Sequence, residues 1–256
     1  MTVLGIDVSK WQGQMDWSKA ARSGARFAFI RAGSADGRTG VNYPDFQFQR
    51  NAAEAQKANI LTGAYWFFRP QFDVNRQAEY FCNLLVGKDL QLPPVLDVEI
   101  GGYSKTVMAR RVRACLEAIK VVTGKTPIVY TRATIWNPSI GLQSWAKDYP
   151  LWVARYTALK HPWADSPRTL QPAGWVDWTF WQFSADENRR GAEFGASGSH
   201  AIDLNYFNGD EAALLKFANA DRPVPAPVPP PTAPDAGWKD SIDAWARTKG
   251  YDGPKP

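Results

Sequence analysis

Four carboxylates stand near the ends of short apolar runs: Asp7 in VLGIDV, Asp97 and Glu99 in PPVLDVE, and Asp203 in HAIDLN. Asp97 and Glu99 are two residues apart, so on a strand they point to one face, roughly 6.6 Å apart along it. Crowded carboxylates raise one another's pKa. One can then keep its proton near neutrality and act as a general acid while another stays negative. A proton for a leaving oxygen beside a negative group is what glycosidic cleavage demands. Asp-x-Glu alone is a weak pattern, and a lone Asp at a strand end commonly caps a helix. Coincidence adds the weight. The intervening runs carry Tyr65, Trp66, Phe67, Phe68, Tyr130, Trp152, Tyr156 and Trp181. Aromatic faces stack on the apolar faces of sugar rings, so a trough of acids and aromatics suits a polysaccharide. A good share of these rings must still be core.

The elements that would position these groups alternate. Runs rich in β-branched and aromatic residues predict strands over 3–8, 26–32, 61–68, 93–99, 126–131, 151–155, 178–183 and 200–205. Amphipathic patterns predict helices near 16–22, 44–58, 73–86 and 104–122, with a closing helix over 209–219. Strand–helix alternation implies an α/β fold with parallel pairing, and eight strands suggest a closed, TIM-like (β/α) barrel. It should be irregular, with a reduced set of outer helices. Residues 132–177 and 184–199 are rich in Pro, Gly and Trp and lack helical periodicity. Such a barrel gathers its chemistry at the C-terminal ends of its strands. Its first and last strands are neighbours, which would set Asp7 against Asp203.

Composition narrows the chemistry. The 256 residues include 12 Trp but only two His, His161 and His200. Multi-His metal sites and His-based nucleophile chemistry are therefore disfavoured, and neither metal nor cofactor is expected. Cys82 and Cys115 lack metal-type spacing and sit in apolar helical contexts, as buried thiols or as a bridge between neighbouring helices. No run approaches the roughly 18 apolar residues that span a bilayer. No basic-then-apolar leader opens the chain, which implies either release without one or a mature form. The net charge of +5 comes from scattered Lys and Arg without a cluster, a poor match to nucleic acid. Residues 223–234 read PVPAPVPPPTAP, which prefers extended polyproline II. The expected organisation is a catalytic domain over 1–220, a Pro-rich linker over 221–236 and a short segment of unassigned role over 237–256.

The opening Gly5-Ile6-Asp7-Val8-Ser9-Lys10-Trp11-Gln12-Gly13 resembles the start of family 25 glycoside hydrolases, the Chalaropsis-type lysozymes common among phage endolysins. The likeness continues in order through Phe27–Ala32, Asn42–Phe46, Gly63–Tyr65, Pro94–Glu99, Pro127–Thr131, Leu151–Tyr156, Trp181–Ser184 and Ile202–Phe207. It implies a monomeric N-acetylmuramidase cutting the β-1,4 bond between N-acetylmuramic acid and N-acetylglucosamine in bacterial peptidoglycan, with no nucleic-acid or membrane partner. By the same likeness Glu99 is the general acid. Asp97 orients and polarises the N-acetyl group or acts on the cationic centre, and Asp7 and Asp203 hold the site's charge and hydrogen bonding. Tyr65, Trp66, Tyr130, Trp152, Tyr156, Trp181 and Gln182 would line the groove. One departure is Trp66, where the family usually carries His. Two competitors share the barrel: a catalytically silent glycan-binding module, which the intact acid pair opposes, and a chitinase-like hydrolase, which the terminal motifs oppose.

Overall fold

The computed structural model describes residues 2–156, 171–185 and 189–218. His161, the Pro-rich linker and the segment after it lie outside the described residues. In chain order the elements are β1 (Val3–Val8), α1 (Trp17–Arg22), β2 (Phe27–Ala35), β3 (Asn42–Pro44), α2 (Phe48–Lys57), β4 (Leu61–Phe67), α3 (Val74–Leu85) and β5 (Val95–Asp97). They continue with α4 (Lys105–Thr123), β6 (Ile128–Thr131), α5 (Ala133–Ser139), β7 (Leu151–Ala154), β8 (Phe180–Ser184), β9 (Asp203–Phe207) and α6 (Glu211–Ala218).

Eight strands run round in the order β1-β9-β8-β7-β6-β5-β4-β2, and a parallel β1–β2 pair closes the ring. The fold is an irregular TIM-like α/β barrel. One strand departs from the parallel expectation. β9 is antiparallel to both β1 and β8, and it begins at Asp203 rather than ending there. A parallel pair needs a crossover, usually a helix, to carry the chain back to the starting end. Among the described residues, no helix lies between β8 and β9. The chain therefore turns over at the top of the barrel and runs down. The helix expected over 44–58 also begins later. Asn42–Pro44 pair with β2 as a short antiparallel strand, and the Asp45 side chain accepts from Gln47 N before α2 opens at Phe48. α5 lies in the stretch read as irregular. It is short and contains Pro138, so it shows no amphipathic period.

Two-residue alternation sorts the strands into two cores. Inside the barrel lie Val3, Phe27, Phe29, Val95, Ile128, Phe180 and Phe207. Phe29 stacks on Trp152 at 4.5 Å between ring centroids, and Phe217 of α6 reaches Phe180 at 5.5 Å. The other face, with Ile6, Ile30, Trp66, Leu96, Val129 and Trp181, packs against the helices. Cys82 and Cys115 face each other's helices as buried free thiols, and burial pushes the Cys82 thiol up to about 12.

The lower interior depends on glycine for room. A Cβ on Gly5 would lie 2.4 Å from the Phe27 ring, and one on Gly63 would lie 2.8 Å from Phe29. Gly5→Ala should therefore overpack the interior and cost about 1–3 kcal/mol. Thermal unfolding reads this directly as a lowered midpoint. An unchanged midpoint would mean that the Phe27 ring moves aside freely.

Candidate active site

The same alternation that fills the lower barrel with rings puts polar groups at its upper end. Asp7 follows Gly5 on β1, Arg31 follows Phe29 on β2, and Asp97 follows Val95 on β5. Asn205 precedes Phe207 on the descending β9. Asp7, Arg31 and Asp97 open into a cleft of about 420 Å³ that also contains Glu99 and Asp203, with Asn205 buried behind it. Tyr65, Tyr130, Trp152, Tyr156 and Gln182 also line it. Asp203 reaches this rim because β9 is antiparallel: its first residue lies at the end where β1 finishes, directly across the ladder from Asp7.

Asp7 is the hub of the hydrogen-bonding. Its Oδ2 accepts from Gln182 Nε2 and from Asn205 Nδ2, both at 2.8 Å. Each amide is held in that orientation by donors at its oxygen. The Tyr130 and Tyr156 hydroxyls donate to Gln182 Oε1 at 2.8 and 3.0 Å, and Trp152 Nε1 donates to Asn205 Oδ1 at 2.8 Å. Neither amide can turn its oxygen toward Asp7 without breaking these bonds. Burial nevertheless raises the Asp7 carboxyl to about 6. The hydrogen bonds from Asn205, Gln182 and Asp203 oppose that rise, and the Glu99 charge adds to it.

The second pair is Asp97 and Glu99, whose carboxyls hydrogen-bond one another. Asp97 ends β5 and is buried, whereas Glu99 lies just beyond the strand and is half-buried. Burial, then the Glu99 charge, holds Asp97 well above the ordinary carboxylate range. Burial also raises Glu99, while the Arg132 charge, the Asp97 hydrogen bond and Arg31 pull it down. Such a pair titrates as a unit, and burial makes both members hold their protons to higher pH than ordinary carboxylates. Asp97 Oδ1 and Arg31 Nε are buried with no hydrogen-bond donor or acceptor matched to them among the described residues. Among the described residues, no group of three or more His, Cys, Asp or Glu is arranged to hold a metal ion.

Two expected groove residues lie elsewhere. Trp66 is fully buried between β4 and α3 and donates through Nε1 to Gln77 Oε1 at 3.2 Å. Trp181 is buried in the outer core and donates to Arg155 O at 2.8 Å. The reason is parity. Tyr65 and Gln182 face inward, so their immediate neighbours face out. Arg31, Arg132 and Asn205 were not anticipated. The same parity could have found two of them: Asn205 is two residues from Asp203, and Arg31 is two from Phe29.

Residues 6–192 match the sequence profile of the Glycosyl hydrolases family 25. The chain is 38% identical over 231 residues to lysozyme M1 of Streptomyces globisporus, spanning 85% of this chain and 71% of that one. It is 30% identical over 230 residues to an N,O-diacetylmuramidase of Chalaropsis sp, spanning 85% and 99% of the two. Among solved structures it resembles the bacterial lysozyme of Streptomyces coelicolor, with a TM-score of 0.72 and 34% identity over 87% of this chain and 99% of that one. On sequence and on fold alike, the chain belongs to family 25 of the glycosyl hydrolases.

Proposed function

We propose that this glycoside hydrolase is a lysozyme that cuts the β-1,4 bond between N-acetylmuramic acid and N-acetylglucosamine in bacterial peptidoglycan. One observation carries the reading: the hydrogen-bonded Asp97–Glu99 pair lies in a cleft walled by acids and aromatic rings. Glu99, the more open of the two, gives its proton to the leaving glycosidic oxygen. Asp97, which lines the same cleft, accepts the N–H of the substrate's acetamido group. That hydrogen bond favours the Asp97 carboxylate and moves the shared proton to Glu99. The oriented acetamido oxygen attacks the anomeric carbon as the bond to the leaving oxygen breaks. Water then adds at that carbon, the acetamide is released and a proton returns to Glu99. Asp7 and Asp203 hold negative charge near the developing cation, and Tyr65, Tyr130, Trp152, Tyr156 and Gln182 shape the groove.

The enzyme acts at the cell wall. The reading takes it as a monomer without nucleic-acid or membrane partners, in keeping with its scattered Lys and Arg and its polar cleft. Catalysis is assigned to residues 1–220, with 221–236 as a linker and 237–256 as an appended segment.

Digestion of purified peptidoglycan followed by borohydride reduction should yield muramitol at the new ends. Glucosaminitol there, or no new reducing ends, would sink the assignment. Glu99→Gln should reduce turnover by about 10²-fold or more, the scale of a lost general acid, while the thermal midpoint stays in place. Full residual activity would remove Glu99 from its role.

The pH profile supplies a separate check. The Arg132 charge favours ionised Glu99 and so lowers its pKa. Arg132→Ala should let Glu99 keep its proton to higher pH, moving the alkaline limb of kcat/KM upward. A limb that stays fixed or moves down contradicts the assignment of that limb to Glu99.

A further inference from the structure

Trp11 differs from the other Trp residues placed in the cores. It is 66% exposed, yet it lines the cleft. An indole left in water forgoes one of the largest burial gains a side chain can make. Its backbone is nevertheless tied down on both sides. Lys10 N donates to Asp45 Oδ2 at 2.9 Å, Ser9 Oγ accepts from Trp11 N, and Gln12 O accepts from both Ser197 N and Gly198 N at 3.0 Å. The Gln12 side chain closes the turn by accepting from Ser9 N at 2.9 Å. Lys10 Nζ sits over one face of the indole, 4.8 Å from its centroid. A rigid turn that presents an unpacked ring into a polysaccharide cleft has already met the ordering cost of a binding platform.

Its position says which sugar it would meet. Around the ring, β1 is three strands from β5, the strand that carries Asp97 and leads to Glu99. At about 4.8 Å per strand this is roughly 14 Å of barrel wall. The indole also stands exposed at the rim of the cleft, beyond the upper end of β1, whereas Asp97 is buried and Glu99 half-buried, so it faces an outer part of the groove.

We propose that Trp11 is the platform of an outer subsite, stacking the apolar face of an amino-sugar ring of the glycan strand beyond the two sugars that flank the bond that is cut. The proposal rests on the muramidase reading for its ligand. Trp11 is a determinant of strand length and does not take part in the chemistry.

The test compares two substrates: peptide-free glycan strands from peptidoglycan, and a short muramyl oligosaccharide that fills only the sugars beside the scissile bond. Trp11→Ala should raise KM for the long strands about tenfold, the order expected for one lost aromatic stacking face. It should leave kcat, and both constants for the oligosaccharide, as in the parent. Trp11→Phe should recover most of the loss, which a merely structural defect would not do. An unchanged KM on long strands overturns the proposal, as does an equal loss on both substrates. Should the parent enzyme cut neither substrate, the muramidase reading fails by itself. The affinity of parent and Trp11→Ala protein for the same strands then decides the subsite, and equal affinities reject it.

Discussion

A carboxylate sealed inside a barrel tends to lose its charge, and Asp7 is such a carboxylate. Much of the upper barrel answers that problem. Two amide N–H groups converge on one Asp7 oxygen, and Asp203 bonds to it across the seam. The amides come from β8 and β9, while the phenols and the indole that fix their orientation come from β6, β7 and the loop that follows β7. Strands from half the ring therefore serve one anion. The reversal of β9 is part of this arrangement, because only a descending strand starts with Asp203 at the rim and places Asn205 one inward step below it. Run upward, the same sequence would bury Asp203 nearer the phenylalanine layers.

Stability runs against the site. An ordinary aspartate titrates near 3.8, and Asp7 in the fold titrates at about 6. The folded state thus binds this proton more tightly than the unfolded chain. Below 3.8 both states are protonated and no penalty exists; between 3.8 and 6 it grows, and above 6 it is complete, on the order of 3 kcal/mol for this group. Asp97 carries a penalty of the same sign. The aromatic layers below offset it. Phe27, Phe29, Phe180 and Phe207 are packed without solvent, with α6 placing Phe217 beneath them. The barrel has a dry half that holds it together and a polar half that strains it.

How much of this was legible in the sequence follows from the same division. Apolar strand runs and amphipathic helices are local signals, and β1, α3 and α4 fall where those signals place them. The acids at the strand ends were legible too, because a carboxylate in an apolar run is conspicuous. Strand direction was not, since the apolar pattern of β9 reads the same upward or downward. What decides it is the connection after β8: the sequence there lacks helical periodicity, and no helix lies between β8 and β9 among the described residues. Aromatic character alone does not separate Trp66 and Trp181, which lie buried in the outer core, from the rings that line the cleft. Tyr65 and Trp66 cannot both face the cleft, nor can Trp181 and Gln182. Asn205 and Arg31 are ordinary polar residues by type, and their importance lies entirely in which carboxylate they meet.

Parity also explains how two adjacent acids acquire different duties. Asp97 and Glu99 project to the same side, so their environments differ only by height along the barrel. Asp97 is the last residue inside the strand ladder, paired with Phe67 on one side and Tyr130 on the other. Glu99 has left the ladder, carries one more methylene and stands in reach of the Arg132 charge. The lower acid is starved of water and favours a proton until a hydrogen-bond donor arrives; the upper acid is wet enough to exchange. In the proposed mechanism, a substrate N–H that satisfies the lower one releases the proton to the upper one, beside the leaving oxygen. On that mechanism, two residues of strand rise are what turn a pair of like charges into a donor and an anchor, with the substrate setting the direction of transfer.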